Sequence, residues 1–230
     1  MWSQLLTLFR PGNPMEGLSE DFENMYGLVQ EMASTVRPHI FDHSLTMAQR
    51  SALYKQDIQV NKLERSIRKR VVSHVTMSRD HIPYCLLLMS LVKDVERIGD
   101  YIKNISEVSE LGGGPVPEGE LQEELAELAD TAMMMLKEVF PVFNEQDQER
   151  ANELIQVGRM AGKRCDSLLV ELSKSNFTAR QTTTMVLLTR FYKRVGGHLL
   201  NVVSSVVMPL HKVDFYDEQL IVLGATPDTD

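Results

Sequence analysis

The segments KDVERIGDYIKNI (93–105) and RFYKRVGGHLLNV (190–202) lie over one another at an offset of 97 residues. Arg97 meets Arg194, Ile98 meets Val195, Gly99 meets Gly196 and Asn104 meets Asn201; upstream, Leu91 meets Leu188. A shared Arg-apolar-Gly pattern in matching places predicts a duplication. The surrounding chain supports it. Strand signals are scarce, Asn-Gly and Asp-Gly hairpin turns are absent, and long Pro-free stretches with helical periodicity dominate. Six helices are predicted, over about 18–37, 44–75, 80–110, 120–144, 146–174 and 178–208. The first stops before Pro38, because the residue preceding a proline avoids the α region. The third starts after Ser78 or Asp80, with Pro83 in its first turn, where a missing N–H is harmless. Pro141 bends or ends the fourth, and Pro209 stops the sixth. Between the third and fourth lies LGGGPVPEGE (111–120), too rich in glycine and proline to continue a helix. The expected fold is all-α: two tandem three-helix repeats forming a six-helix bundle. The expected division is a leader (1–16), a first repeat (17–111), a Gly/Pro linker (112–119), a second repeat (120–215) and a frayed tail (216–230).

The 230 residues are 43% hydrophobic, enough for a substantial core. The formal charge of −8 disfavours a general nucleic-acid binder, which needs a basic footprint. That charge is concentrated. Residues 118–153 hold eleven acids against Lys137 and Arg150, so the rest of the chain is nearly neutral. The acidic segment is expected to be a solvated face. Two cysteines, Cys85 and Cys165, are too few for a disulfide scaffold and sit in apolar helical contexts, as buried free thiols would. MWSQLLTLFRPGNP (1–14) reads as neither a signal peptide nor a membrane span, so a soluble, cytoplasmic protein is expected. Met133, Met134 and Met135 read as gap-filling core residues. KLERSIRKR (62–70) reads as a solvated helix end, with a docking patch for an acidic partner as the alternative.

The third helix carries the most informative chemistry. Leu91, Ile98, Ile102 and Ile105 form one apolar stripe; Glu96, Asp100 and Glu107 fall roughly opposite. Gly99 sits mid-helix, where glycine costs about 1 kcal/mol relative to alanine, and implies close approach of a neighbour. On the second helix Asp57, Asn61, Glu64 and Arg68 share a stripe. If the two helices face each other, Asp57, Asn61, Glu64, Glu96 and Asp100 gather as oxygen ligands, suited to iron, manganese, magnesium or calcium. Two other readings stay open. Acidic pairs four apart recur along the chain as solvated faces, and Lys93, Arg97, Arg65 and Arg68 could neutralise these carboxylates. His39 and His43 form a weaker zinc candidate at a helix junction. There is no HExxH, P-loop, Rossmann glycine pattern or GxSxG.

DVERIGDYIKNISE (94–107), in a helix opened by SRDHIP (78–83), resembles the signature helix of PhoU proteins, and LFRPGNPMEG (8–17) resembles the start of members with short leaders. The resemblance implies two three-helix repeats and a cytoplasmic regulator of phosphate uptake and signalling, peripheral to the inner membrane. It would dock on a membrane phosphate transporter or the associated sensor histidine kinase. The resemblance also implies a homodimer, and a divalent or iron-type metal held in the first repeat by Glu96 and Asp100, with Asp57, Asn61 and Glu64. The second repeat departs from the pattern. Lys193 and Gly197 stand over Glu96 and Asp100, and the preceding helix carries Arg159, Lys163 and Arg164. At most one metal site is therefore expected. The chain is read as a regulator, not an enzyme. A carboxylate-metal bundle enzyme is the second reading, though the Glu-x-x-His pair it favours is missing, and a metal-free helical scaffold is the third.

Overall fold

A computed structural model describes residues 16–116 and 118–213. The leader LFRPGNPMEG and the tail 216–230 lie wholly or mostly outside them. The described residues form six α-helices and no strand: α1 (Glu16–Val36), α2 (Met47–Met77), α3 (Ile82–Ser106), α4 (Glu120–Glu145), α5 (Gln148–Ser173) and α6 (Ala179–Val207).

Several helix ends have local causes that the sequence reading placed elsewhere. α2 starts at Met47, not near Ser44, because Thr46 and Gln49 close a reciprocal capping box. The same device, Thr178 with Gln181, opens α6, and Asp147 caps α5 through the Arg150 N–H. Neither Ser78 nor Asp80 caps α3. Those two side chains bond each other at 3.0 Å, and His81 occupies the cap position in a left-handed conformation. α3 stops at Ser106, short of Glu110, as the chain tightens into turns whose Gly113 N–H donates to the Val108 carbonyl. Pro141 does not end α4, which runs on to Glu145.

α1, α2 and α3 pack on one another, and so do α4, α5 and α6. The two groups meet chiefly where α3 lies along α6, with a smaller contact of α1 on α4. Buried side chains from Leu18 to Val213 form one continuous core across both groups. Cys85 and Cys165 are buried free thiols within it, and Met135 is buried with Met133 and Met134 packed against the core. The α1–α4 contact uses a loosened stretch of helix. Pro141 has no N–H for the Lys137 carbonyl. One residue earlier, the Leu136 carbonyl accepts hydrogen bonds from Tyr26 Oη and Gln30 Nε2, both at 2.9 Å. Arg37 adds an ion pair to Asp130 at 2.8 Å.

The Gly/Pro segment is pinned, not loose. The buried Thr184 hydroxyl donates to the Gly114 carbonyl at 2.7 Å and accepts from the Gly114 N–H at 2.9 Å. Arg180 holds the Gly113 carbonyl at 3.1 Å. A Cβ at Gly113 would sit 2.7 Å from both Thr184 Oγ1 and the Val108 carbonyl oxygen, so only glycine fits this clasp.

Candidate functional site

α2 and α3 do face each other, and the five proposed ligand residues lie along their shared seam. What organises the acids is a lysine that the sequence reading passed over. Lys103 Nζ lies 3.1 Å from Asp57 Oδ2 and 3.1 Å from Asp100 Oδ1. Asp57 is 9% exposed, so this pairing neutralises a carboxylate that could not otherwise be buried. Burial works against the Lys103 charge, but the hydrogen bonds to Asp100 and Asp57 outweigh it and hold the pKa above the usual lysine value. The signal was available: Lys103 is three residues from Asp100, hence on the same face.

Glu64 pairs with Arg68 at 2.9 Å, and Arg97 approaches Glu96 at 3.7 Å and Asp100 at 3.6 Å. Lys93 and Arg65 do not join the pairing among the described residues. Glu107 leaves the cluster to accept a hydrogen bond from Tyr54 at 2.7 Å. Asn61 is half-buried on the same face as Asp57 and Glu64 and makes no side-chain hydrogen bond among the described residues. Glu96 is the poorly compensated member. Burial first, and then the neighbouring Asp100 and Glu64 carboxylates, raise its pKa above the usual glutamate value. The oxygen-only donor chemistry fits a hard cation. The arrangement, however, is built around the Lys103 ammonium: among the described residues no three His, Cys, Asp or Glu side chains converge on a point that could hold a metal ion. His39 and His43, the weaker candidate pair, lie at the junction before α2. His39 Nδ1 contacts Ser44 Oγ at 2.5 Å, and His43 sits in a left-handed turn.

Gly99 has neighbours on two helices, but at ordinary contact distance, so the space does not itself demand glycine. A Cβ there would lie 3.4 Å from Val29 and 3.7 Å from Val60, in contact with both α1 and α2. Its counterpart Gly196 has nothing within 4 Å of a Cβ, and neither do Gly197 and Gly162. In the second group tight packing is at Gly158 instead, where a Cβ would meet Leu200 at 2.7 Å and Met135 at 2.8 Å.

Among the described residues no acidic constellation occupies the corresponding place in the second group. Lys193 pairs with Asp166 at 2.5 Å, and Arg164 binds Glu124 and Glu127, each at 2.7 Å. The acids of 118–153 are mostly exposed, as expected, yet several are tied down: Asp130 by Arg37, and Glu138 and Glu153 by Arg150. In the basic run 62–70, Lys62, Arg65 and Lys69 are exposed, whereas Arg70 reaches Asp21 at 3.0 Å.

The α3–α6 seam holds a polar cluster that the sequence reading missed. Asp94 Oδ1 accepts from Asn201 Nδ2 at 2.8 Å and lies 2.8 Å from His198 Nδ1. Tyr101 stacks on His198 with ring centroids 5.7 Å apart. Asp94 is three residues after Leu91 and four before Ile98, so a carboxylate interrupts the core-facing stripe. A charge in that position has to find a partner on the facing helix.

A family model described as the PhoU domain matches residues 22–109. A phosphate-specific transport system accessory protein PhoU homolog from Thermotoga maritima is 22% identical over 197 residues, spanning 83% of this chain and 84% of its own. A protein of the same description from Rhizobium meliloti is 22% identical over 201 residues, 82% of each chain. The crystal structure of PhoU from Pseudomonas aeruginosa superposes with a TM-score of 0.74 at 19% identity, covering 86% of this chain and 97% of that one.

Proposed function

We propose that this chain, a PhoU-family protein, regulates phosphate transport as an accessory protein, without catalysis of its own. The observation that carries the reading is the alignment with accessory proteins of phosphate-specific transport over more than four-fifths of their length as well as its own. No helix among the described residues is long and apolar enough to cross a membrane. The partner is a phosphate transporter or its sensor histidine kinase, reached from the cytoplasmic side, with the protein acting as a homodimer.

The first-repeat seam takes part through its cation balance. Glu96, Asp100 and Glu64, with Asn61 and Asp57, would have to draw together to hold a hard divalent or iron-type ion. Such an ion would supply the positive charge that Glu96 lacks, and it competes with Lys103 for Asp100. Without the ion, Lys103 keeps Asp57 neutralised, so that α2 and α3 stay closed.

The test is capture of tagged protein from detergent-solubilised native membranes at high and low phosphate. Recovery of a phosphate carrier or its kinase is expected, and repeated recovery of unrelated proteins would overturn the reading. For the seam, elemental analysis of wild type against Glu96→Ala/Asp100→Ala decides: equal metal content in the two would remove the metal.

A further inference from the structure

In the second group, two features of α5 and α6 have no packing role. Gly162, Gly196 and Gly197 lie inside helices, where glycine is the poorest ordinary residue, and no side chain approaches the space a Cβ would fill. Arg190 and Arg194 are exposed, one helical turn apart, so their like charges repel, and neither has an ion-pair partner among the described residues. The two features adjoin. One cavity of about 250 Å³ lies over Gly162, Gly196 and Gly197 and is edged by Arg159, Lys163 and Lys193. A second, of about 360 Å³, is lined by Arg190, Lys193, Arg194 and Asn201. Lys193 and Gly197 line both, so together they form one basic trough.

We propose that this trough binds a tetrahedral oxyanion of the phosphate class. Guanidinium forks match phosphate oxygens in pairs, and a lysine adds a compact charge. The bare glycine floor lets an anion approach the helix surface more closely than any side chain would permit. One acid lines the trough, Asp166, and it is occupied by Lys193; Asp94, behind the lining residues His198 and Asn201, is occupied by both of them. Lys163, Arg190 and Arg194 are left uncompensated among the described residues, enough positive charge for a dianion. The positions that in the first repeat are Glu96 and Asp100 are here Lys193 and Gly197, so one bundle position takes a cation-binding character in one half and an anion-binding character in the other. The proposal does not rest on the docking or metal reading of the first repeat.

The ligand could be free orthophosphate or the headgroup of an anionic lipid, and two arms separate them. Orthophosphate is titrated into the full-length protein by calorimetry with sulfate as a control. Separately, the protein is sedimented with phosphatidylcholine vesicles with and without phosphatidic acid. Saturable binding in either arm is expected. It should weaken about tenfold or more in Arg190→Gln/Arg194→Gln, since each loses a charge-assisted bond. Gly197→Leu fills the trough without changing charge and should abolish binding. Circular dichroism confirms that the variants fold. No saturation in either arm, or Gly197→Leu binding like wild type, would overturn the proposal.

Discussion

Asp94→Ala should loosen the seam between the two halves. The substitution removes the acceptor for Asn201 and His198, each 2.8 Å from the same carboxylate oxygen. Hydrogen bonds to a charged partner contribute about 1.5–3 kcal/mol each, and removing one side also leaves the other unsatisfied. The groups left behind are His198, whose side chain is 22% exposed, and the half-buried Asn201, so water recovers part of the loss at both. The expected destabilisation is about 2–3 kcal/mol, or about 4–12 °C in Tm for a chain of this size. Urea unfolding followed by circular dichroism should show a lower midpoint with an unchanged slope, which marks a change in stability and not in compactness. A double-mutant cycle with Asn201→Ala then isolates the pair, with about 1 kcal/mol of coupling expected. Losses below about 0.5 kcal/mol, or additivity within that margin, would refute the reasoning and leave the carboxylate as a tolerated core polar group.

Lys103→Met should destabilise by about 2–3 kcal/mol, because it strands Asp57 while Asp100 keeps partial access to water; thermal melts measure it, and elemental analysis should show more bound metal than in wild type. Glu96→Gln should raise Tm at neutral pH. The folded pKa of Glu96 lies above its unfolded value, so the fold binds the extra proton and the group's penalty grows as pH rises through that window, then vanishes in acid below both values. Melts across pH check the sign: a variant less stable than wild type at neutral pH would contradict it. Gly196→Ala should stabilise by up to about 1 kcal/mol, while Gly158→Ala should destabilise, because Leu200 and Met135 must move. Urea midpoints that rank the two the other way would refute the packing assignment.

Periodicity and breakers made the six helices legible, because proline and glycine act on the local backbone. Capping was less so: the Thr46–Gln49 and Thr178–Gln181 boxes are written in the sequence, yet the first was passed over in favour of an earlier start. Spacing placed Asp57, Asn61, Glu64, Glu96 and Asp100 on facing helices, but it is silent on which cation a carboxylate meets. Three arginines and a lysine nearby read as candidate partners; the one that closes the seam, Lys103, was hidden in an apparently ordinary helical turn. Asp94 was more readable than it was read, since it breaks the stripe from Leu91 to Ile98. The trough on α6 was half visible as a loss of carboxylates. That the glycines there support nothing required coordinates.

The clasp between Gly114 and Thr184 bears on chain continuity. Its bonds hold the segment on the near side of residue 117, and the core runs through both groups regardless of what joins them. A protein cut at residue 117 should therefore behave as a pair of complementary fragments. The first would carry close to its end the glycines that the second is shaped to grip, and co-expression from separate reading frames should return one soluble complex.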